Sequence, residues 1–191
     1  MRYWLVNDWS RSIALIGMMG AGKSSVGRCL NRRTGLPLHD TDKIVAANLG
    51  MSIPEIFVQH GEKKFREAET GALRCMRTER QAIIVTGGGI VLRKENTEIL
   101  KSHGVIVWLE ADEETLFARA LRKQDRPLLQ TRDPRKTFSE IFGARRPLYA
   151  NLADIRVDTS VLTDEETAVA ILAKLRNMNS KAKSSVPAKA S

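Results

Sequence analysis

Gly17-Met18-Met19-Gly20-Ala21-Gly22-Lys23-Ser24 fits the pattern G-x-x-x-x-G-K-[ST] at every position, and it limits what the chain can fold into more narrowly than any other stretch. The pattern needs a strand ahead of it and a helix behind it. Ile13-Ala14-Leu15-Ile16 is a short apolar run suited to a buried strand, and Val26, Cys29 and Leu30 recur at helical spacing after Ser24. Glycines let successive backbone N–H groups turn inward on a phosphate, and the helix N-terminus adds its dipole. Gly20, Ala21, Gly22, Lys23, Ser24 and Ser25 are therefore the candidate contacts for a nucleoside triphosphate. Lys23 can reach its β- and γ-phosphates, and the Ser24 hydroxyl can ligate Mg²⁺.

Beyond the first helix, Leu36-Pro37-Leu38 is a strand candidate leading into His39-Asp40-Thr41-Asp42. Two carboxylates then stand just past a strand end, where open parallel sheets bind ligands. Thr41 or Asp42 can cap a helix through Leu49, and Ser52-Ile53-Pro54-Glu55 has capping-box spacing with proline in the first turn. A further helix is expected from Gly61 to Arg77, with Phe65, Ala68, Ala72 and Met76 along one face and Arg66 beside it. Ala82-Ile83-Ile84-Val85 reads as a central strand buried on both faces. It ends in Thr86-Gly87-Gly88-Gly89, either a turn or a bare backbone that a ligand can approach closely. Val105 to Leu109 is another buried strand, and Asp112 caps a helix carrying Leu116, Phe117, Ala120 and Leu121.

Residues 123–136 break the periodicity with two prolines and several arginines, among them Arg126. A polar connection of that length suits a lid over a site. A helix containing Arg145-Arg146 follows, then an alternating edge strand at Asp154 to Asp158 and a last helix capped at Thr163. Five strands with a helix in every crossover require parallel pairing and right-handed connections. The expected fold is α/β, a three-layer α/β/α sandwich of the P-loop kinase type. A helical acceptor-binding insertion over about 41–77 and the lid over about 123–136 complete it.

At 191 residues and 42% hydrophobic content, the chain can bury one substantial core. A single domain over residues 1–178 is expected, followed by a basic, disordered tail at 179–191 that is dispensable for turnover. The net charge of +9 includes Lys181, Lys183 and Lys189 in that tail, so the rest carries +6, nine less these three. With few, scattered aromatics, that excess suits pockets for anionic substrates better than a nucleic-acid face. Cys29 and Cys75 have no metal-ligand spacing and read as buried free thiols. Neither a signal peptide nor a bilayer-length apolar run is present, so a cytoplasmic protein without membrane or nucleic-acid partners, and a monomer, is expected.

A phosphate loop alone implies only that a nucleotide binds. The carboxylate pair, the glycine run and the separated arginines make a second constellation, suited to an acceptor of the phosphoryl group. Lys23, Mg²⁺ and Arg126 would neutralise charge on the moving group, while Asp42 could orient an acceptor hydroxyl and take its proton. Asp40 could hold the metal, through water. Guanidinium forks at Arg66 and Arg145 suit a carboxylate on the acceptor.

Taken in order, these residues resemble the shikimate kinase family. The resemblance runs through the phosphate loop, Asp40-Thr41-Asp42, Ser52-Ile53-Pro54-Glu55-Ile56-Phe57, Gly61-Glu62-Lys63-Lys64-Phe65-Arg66, Thr86-Gly87-Gly88-Gly89, Arg126-Pro127-Leu128-Leu129 and Arg145-Arg146-Pro147-Leu148-Tyr149. It implies ATP- and Mg²⁺-dependent phosphorylation of the 3-hydroxyl of shikimate, a step toward chorismate and the aromatic amino acids. It also implies that Asp42, Phe57, Arg66, Gly87, Gly88, Gly89 and Arg145 hold shikimate. Lys23 and Arg126 would contact the transferred group, Ser24 and Asp40 the metal, and Arg119 the adenine. Arg145 is favoured over Arg146 because the family's carboxylate-binding arginine stands two residues before Pro-Leu-Tyr. Val45 departs from the glutamate frequent in the family there, and the segment after Asp158 matches no adenine-contacting pattern. Two rivals are a gluconate-type kinase of the same fold and a catalytically silent nucleotide-binding module.

Overall fold

The apolar run ahead of the phosphate loop becomes β1 (Ser12–Ile16), every residue of it buried, because it lies at the centre of a parallel sheet. The structure, a computed structural model, describes residues 11–76, 81–122 and 126–184. The sheet runs β2 (Leu38–Asp40), β3 (Ile83–Val85), β1, β4 (Gly104–Glu110), β5 (Ile155–Asp158). β1 pairs Ile13 with Ile83 on one side and with Val105 on the other. These inner strands are largely apolar, with Ile, Val and Leu predominating, because helices cover both their faces. At the edge, β5 alternates, with Ile155 and Val157 inward and Arg156 and Asp158 outward.

The helices are α1 (Lys23–Thr34), α2 (Thr41–Leu49), α3 (Ile53–Cys75), α4 (Lys94–His103), α5 (Glu113–Leu121), α6 (Pro134–Leu152) and α7 (Asp164–Ser184). α1 packs on α7 and α3 on α4. A small second core of Val45, Ile56, Phe65 and Ala72 joins α2 to α3 and stands apart from the main one. This arm is a separately packed unit that carries Asp42 and Arg66 beside the phosphate loop.

Several local expectations shift. α3 starts at the capping box, where the Glu55 carboxylate accepts from Ser52 N at 2.8 Å, and runs through a kink at Gly61 (φ 75, ψ 171). The helix expected from Gly61 is therefore the second half of α3, which ends at Cys75; Arg77, its expected last residue, lies outside the described residues. β2 begins at Leu38, because Pro37 has no N–H to give the ladder; its carbonyl instead accepts from Ile83 N at 2.8 Å. Cys75 is exposed, correcting the expectation of two buried thiols: it falls on the outward side of the last turn of α3, whereas Cys29 is buried between α1 and the core. α7 continues to Ser184, past the position where the tail was expected to begin; 185–191, the N-terminal ten residues and 123–125 of the expected lid lie outside the described residues. The connection that follows holds a 3₁₀ turn at Pro127–Leu129, anchored by buried Leu129. No helix among the described residues is long and apolar enough to cross a membrane.

Candidate active site

Gly22 precedes α1 at the N-cap position with a left-handed backbone (φ 83) that a larger residue would strain, and no side chain caps the first N–H groups of the helix. That leaves the positive end of the helix to an anion. Lys23 Nζ donates to the carbonyls of Gly17 (2.7 Å) and Met18 (2.9 Å), which folds the side chain back over the loop. Burial, with help from Arg126, lowers the Lys23 pKa to about 8, while Asp42 and Asp40 oppose the shift.

Asp40 ends β2 and caps α2, its Oδ1 accepting from Asp42 N at 3.1 Å and Lys43 N at 3.4 Å. Its other oxygen, Oδ2, accepts from the Ser24 hydroxyl at 3.3 Å. Two hard oxygen donors thus converge at the head of the loop. Among the described residues no cluster of three or more His, Cys, Asp or Glu could hold a metal ion. Mg²⁺ asks for less: one or two protein oxygens, with phosphates and water completing the shell, so this pair fits it.

Asp42 lies two residues further, and its Oδ1 is buried without a hydrogen-bond partner among the described residues. Burial, then the neighbouring Asp40 charge, raises its pKa, although Lys23, Arg66 and Arg126 pull the other way. A carboxylate held in this way is a stronger base than an exposed aspartate.

Two cavities meet here. One, of about 150 Å³, is lined by the loop residues Gly20, Gly22, Lys23, Ser24 and Ser25 together with Asp40 and Arg119. The other, of about 70 Å³, is lined by Phe57, Arg66, Gly89 and Arg145, with Ile53, Phe65, Pro127 and Leu128. Met19, Asp42, Gly87, Gly88 and Arg126 line both. Asp42 and Arg126 therefore stand at the junction of the cavity over the phosphate loop and the smaller, arginine-lined cavity.

Arg66 and Arg145 are 7% and 5% exposed, far too buried for solvated surface charges. Arg66 Nε and Nη2 donate to Glu62 Oε1 (3.1 and 2.9 Å), and Nη1 donates to Glu69 Oε2 at 2.9 Å. Burial works against the Arg66 charge, but these carboxylates outweigh it and raise its pKa. Glu69 is fully buried; burial pushes its pKa up and Arg66 restrains the shift. Arg145, on α6, is buried and lines the smaller cavity, whereas Arg146 is exposed. Burial lowers the Arg145 pKa. Phe57 packs on Phe65 with ring centroids 4.9 Å apart. Arg119 Nη2 donates to the carbonyls of Thr159 (2.9 Å) and Ser160 (3.2 Å), tying α5 to the segment after β5 on the nucleotide side.

The glycine run is shaped by the chain's own side chains. A Cβ on Gly87 would come within 2.5 Å of Glu69 Oε1 and 2.7 Å of Asp42 Oδ1, and one on Gly89 would collide with the Arg66 guanidinium. At Gly87 and Gly89 close approach, not left-handed backbone, is what requires glycine, whereas a Cβ on Gly88 would meet only ordinary van der Waals contacts. The structure thus brings every expected site residue to the two cavities except Ala21, which is buried in the core behind the loop.

Sequence reasoning missed Glu62, Glu69, Thr41 and Tyr149. Glu62 and Glu69 stand four residues before and three after Arg66, the spacing at which helical side chains meet, so this signal was present. The Thr41 hydroxyl accepts from Gly87 N at 3.1 Å, and the Tyr149 hydroxyl donates to the carbonyl of Gly88. Both contacts link residues more than forty positions apart and have no local signature.

A phosphate loop at the head of a parallel sheet, facing a basic pocket across a buried aspartate, defines a P-loop small-metabolite phosphotransferase. The family model for shikimate kinase matches residues 19–176. A shikimate kinase of Chromobacterium violaceum is 43% identical over 146 residues, covering 76% of this chain and 79% of its own. One of Thermodesulfovibrio yellowstonii is 39% identical over 169 residues, covering 88% and 97%. The solved structure of shikimate kinase from Acinetobacter baumannii in complex with shikimate superposes with a TM-score of 0.85 at 33% identity, covering 88% of this chain and 94% of that one. The chain belongs to the shikimate kinase family.

Proposed function

We propose that this enzyme transfers the γ-phosphoryl group of ATP to the 3-hydroxyl of shikimate, giving shikimate 3-phosphate and ADP in chorismate and aromatic amino-acid biosynthesis. The observation that carries this reading is the pair of buried arginines, Arg66 and Arg145, in the same small cavity as Asp42. Buried guanidinium groups suit a carboxylate-bearing acceptor, which they can hold by paired N–H donors. The glycine run and Phe57 enclose its ring. Asp42 takes the proton of the 3-hydroxyl as that oxygen attacks the γ-phosphorus and the bond to the bridging oxygen of ADP breaks. Lys23 and Arg126 hold the equatorial oxygens, and the N-terminus of α1 keeps the departing diphosphate. Ser24 and Asp40 would hold Mg²⁺, which supplies charge neutralisation across the phosphates when bound. Arg119 lies against the adenine, and the connection around Arg126 serves as the lid.

In this reading the enzyme acts as a monomer in the cytoplasm, with which two cavities lined by residues of this chain are compatible. A coupled ADP-release assay with ATP, Mg²⁺ and either shikimate or gluconate tests the reading. ADP release that depends on shikimate and not on gluconate is expected; the reverse dependence would overturn it.

A further inference from the structure

We propose that Tyr149 is a positioning residue for the acceptor, its phenol fixing the Gly88–Gly89 peptide against the helix face that delivers Arg145. The inference rests on the reading of the smaller cavity as the acceptor pocket. Tyr149 follows Arg145 by four residues on α6, so both side chains leave the same face of the helix. Its ring is buried, with its centroid 6.0 Å from that of Trp108, and its hydroxyl donates to the Gly88 carbonyl. A Cβ on Gly88 would lie 3.7 Å from Arg145 Nη1, so guanidinium and phenol bear on one glycine.

The peptide joining Gly88 to Gly89 is planar and trans, so its carbonyl and its N–H point in opposite directions. Holding the Gly88 carbonyl toward α6 therefore turns the Gly89 N–H away from that helix. Among the described residues neither the Gly88 nor the Gly89 N–H has a partner, and both glycines line the acceptor cavity. A ligand hydroxyl or carboxylate then meets the Gly89 N–H in a direction that Tyr149 has set. Thr41 anchors the same run one residue earlier, through Gly87 N. Burial lifts the phenol pKa to about 12, so it stays a donor across the working range.

Tyr149→Phe keeps the ring and removes the hydrogen bond. It should raise the KM for shikimate about tenfold, the equivalent of ~1.4 kcal/mol. The KM for ATP should stay at the wild-type value and kcat within about twofold of it. Trp108→Phe, which trims the packing and leaves the phenol, should lower the melting temperature without moving the shikimate KM. If Tyr149→Phe melts too low for turnover assays, a shikimate titration in the cold gives the same comparison. A shikimate affinity within about twofold of wild type, or equal losses for shikimate and ATP, would overturn the assignment. Failure of the wild-type enzyme to use shikimate would instead refute the reading of the pocket.

Discussion

With Asp42 as the proposed base, stability and function pull in opposite directions at this residue. Its environment favours the protonated form, mainly through burial and then through Asp40. A carboxyl group whose folded pKa is raised stabilises the fold only while it keeps its proton. That contribution is complete below the unfolded pKa of about 4 and is lost as pH rises through the folded value. Asp42→Asn should therefore lower kcat by about 10²- to 10⁴-fold while raising the melting temperature at neutral pH. The gap in melting temperature should widen from pH about 4 upward, which calorimetry at several pH values would check. An unchanged kcat would remove Asp42 from its place as base. Lys23 makes a second prediction. With its pKa lowered to about 8, kcat/KM for ATP should fall above that pH as the ammonium loses its proton. In kcat the same limb should lie higher, because bound phosphates hold the charge.

The elements were legible in proportion to how locally they are determined. The strand, loop and helix around Gly17 follow from eight residues and their apolar flanks, and the capping boxes at Ser52 and Thr163 both form. Strand ends were less legible: β2 starts at Leu38 because its ladder is set by Ile83 on a distant strand. The glycine run reads from the sequence as either a turn or a bare backbone open to a ligand. What it clears space for, Glu69, Asp42 and Arg66, arrives from α2 and α3 and could not be read from the run itself. Gly89→Ala tests that packing. The added methyl must displace the Arg66 guanidinium, so the shikimate KM should rise by about tenfold or more while the ATP KM stays unchanged. Steady-state kinetics with each substrate varied in turn would decide it, and a shikimate KM at the wild-type value would contradict the packing.

At the scale of the molecule, the sheet order places the phosphate loop after the central strand β1 and the glycine run after its neighbour β3. The two cavities are therefore adjacent at the same end of the sheet. The separately packed α2–α3 arm closes the smaller cavity, and α6 brings Arg145 and Tyr149 from the far half of the chain. Identifying the residue types needed only the sequence; their convergence depends on tertiary packing, which spacing along the chain does not encode. The central claim is that one hydroxyl of one acceptor, beside Asp42, receives the phosphoryl group from the loop. Phosphorus NMR of the product of a turnover with ATP, Mg²⁺ and shikimate measures this directly. A single phosphate monoester coupled to the proton on carbon 3, formed in step with ADP, is the expected spectrum. Inorganic phosphate alone, or an ester on another oxygen, would contradict it.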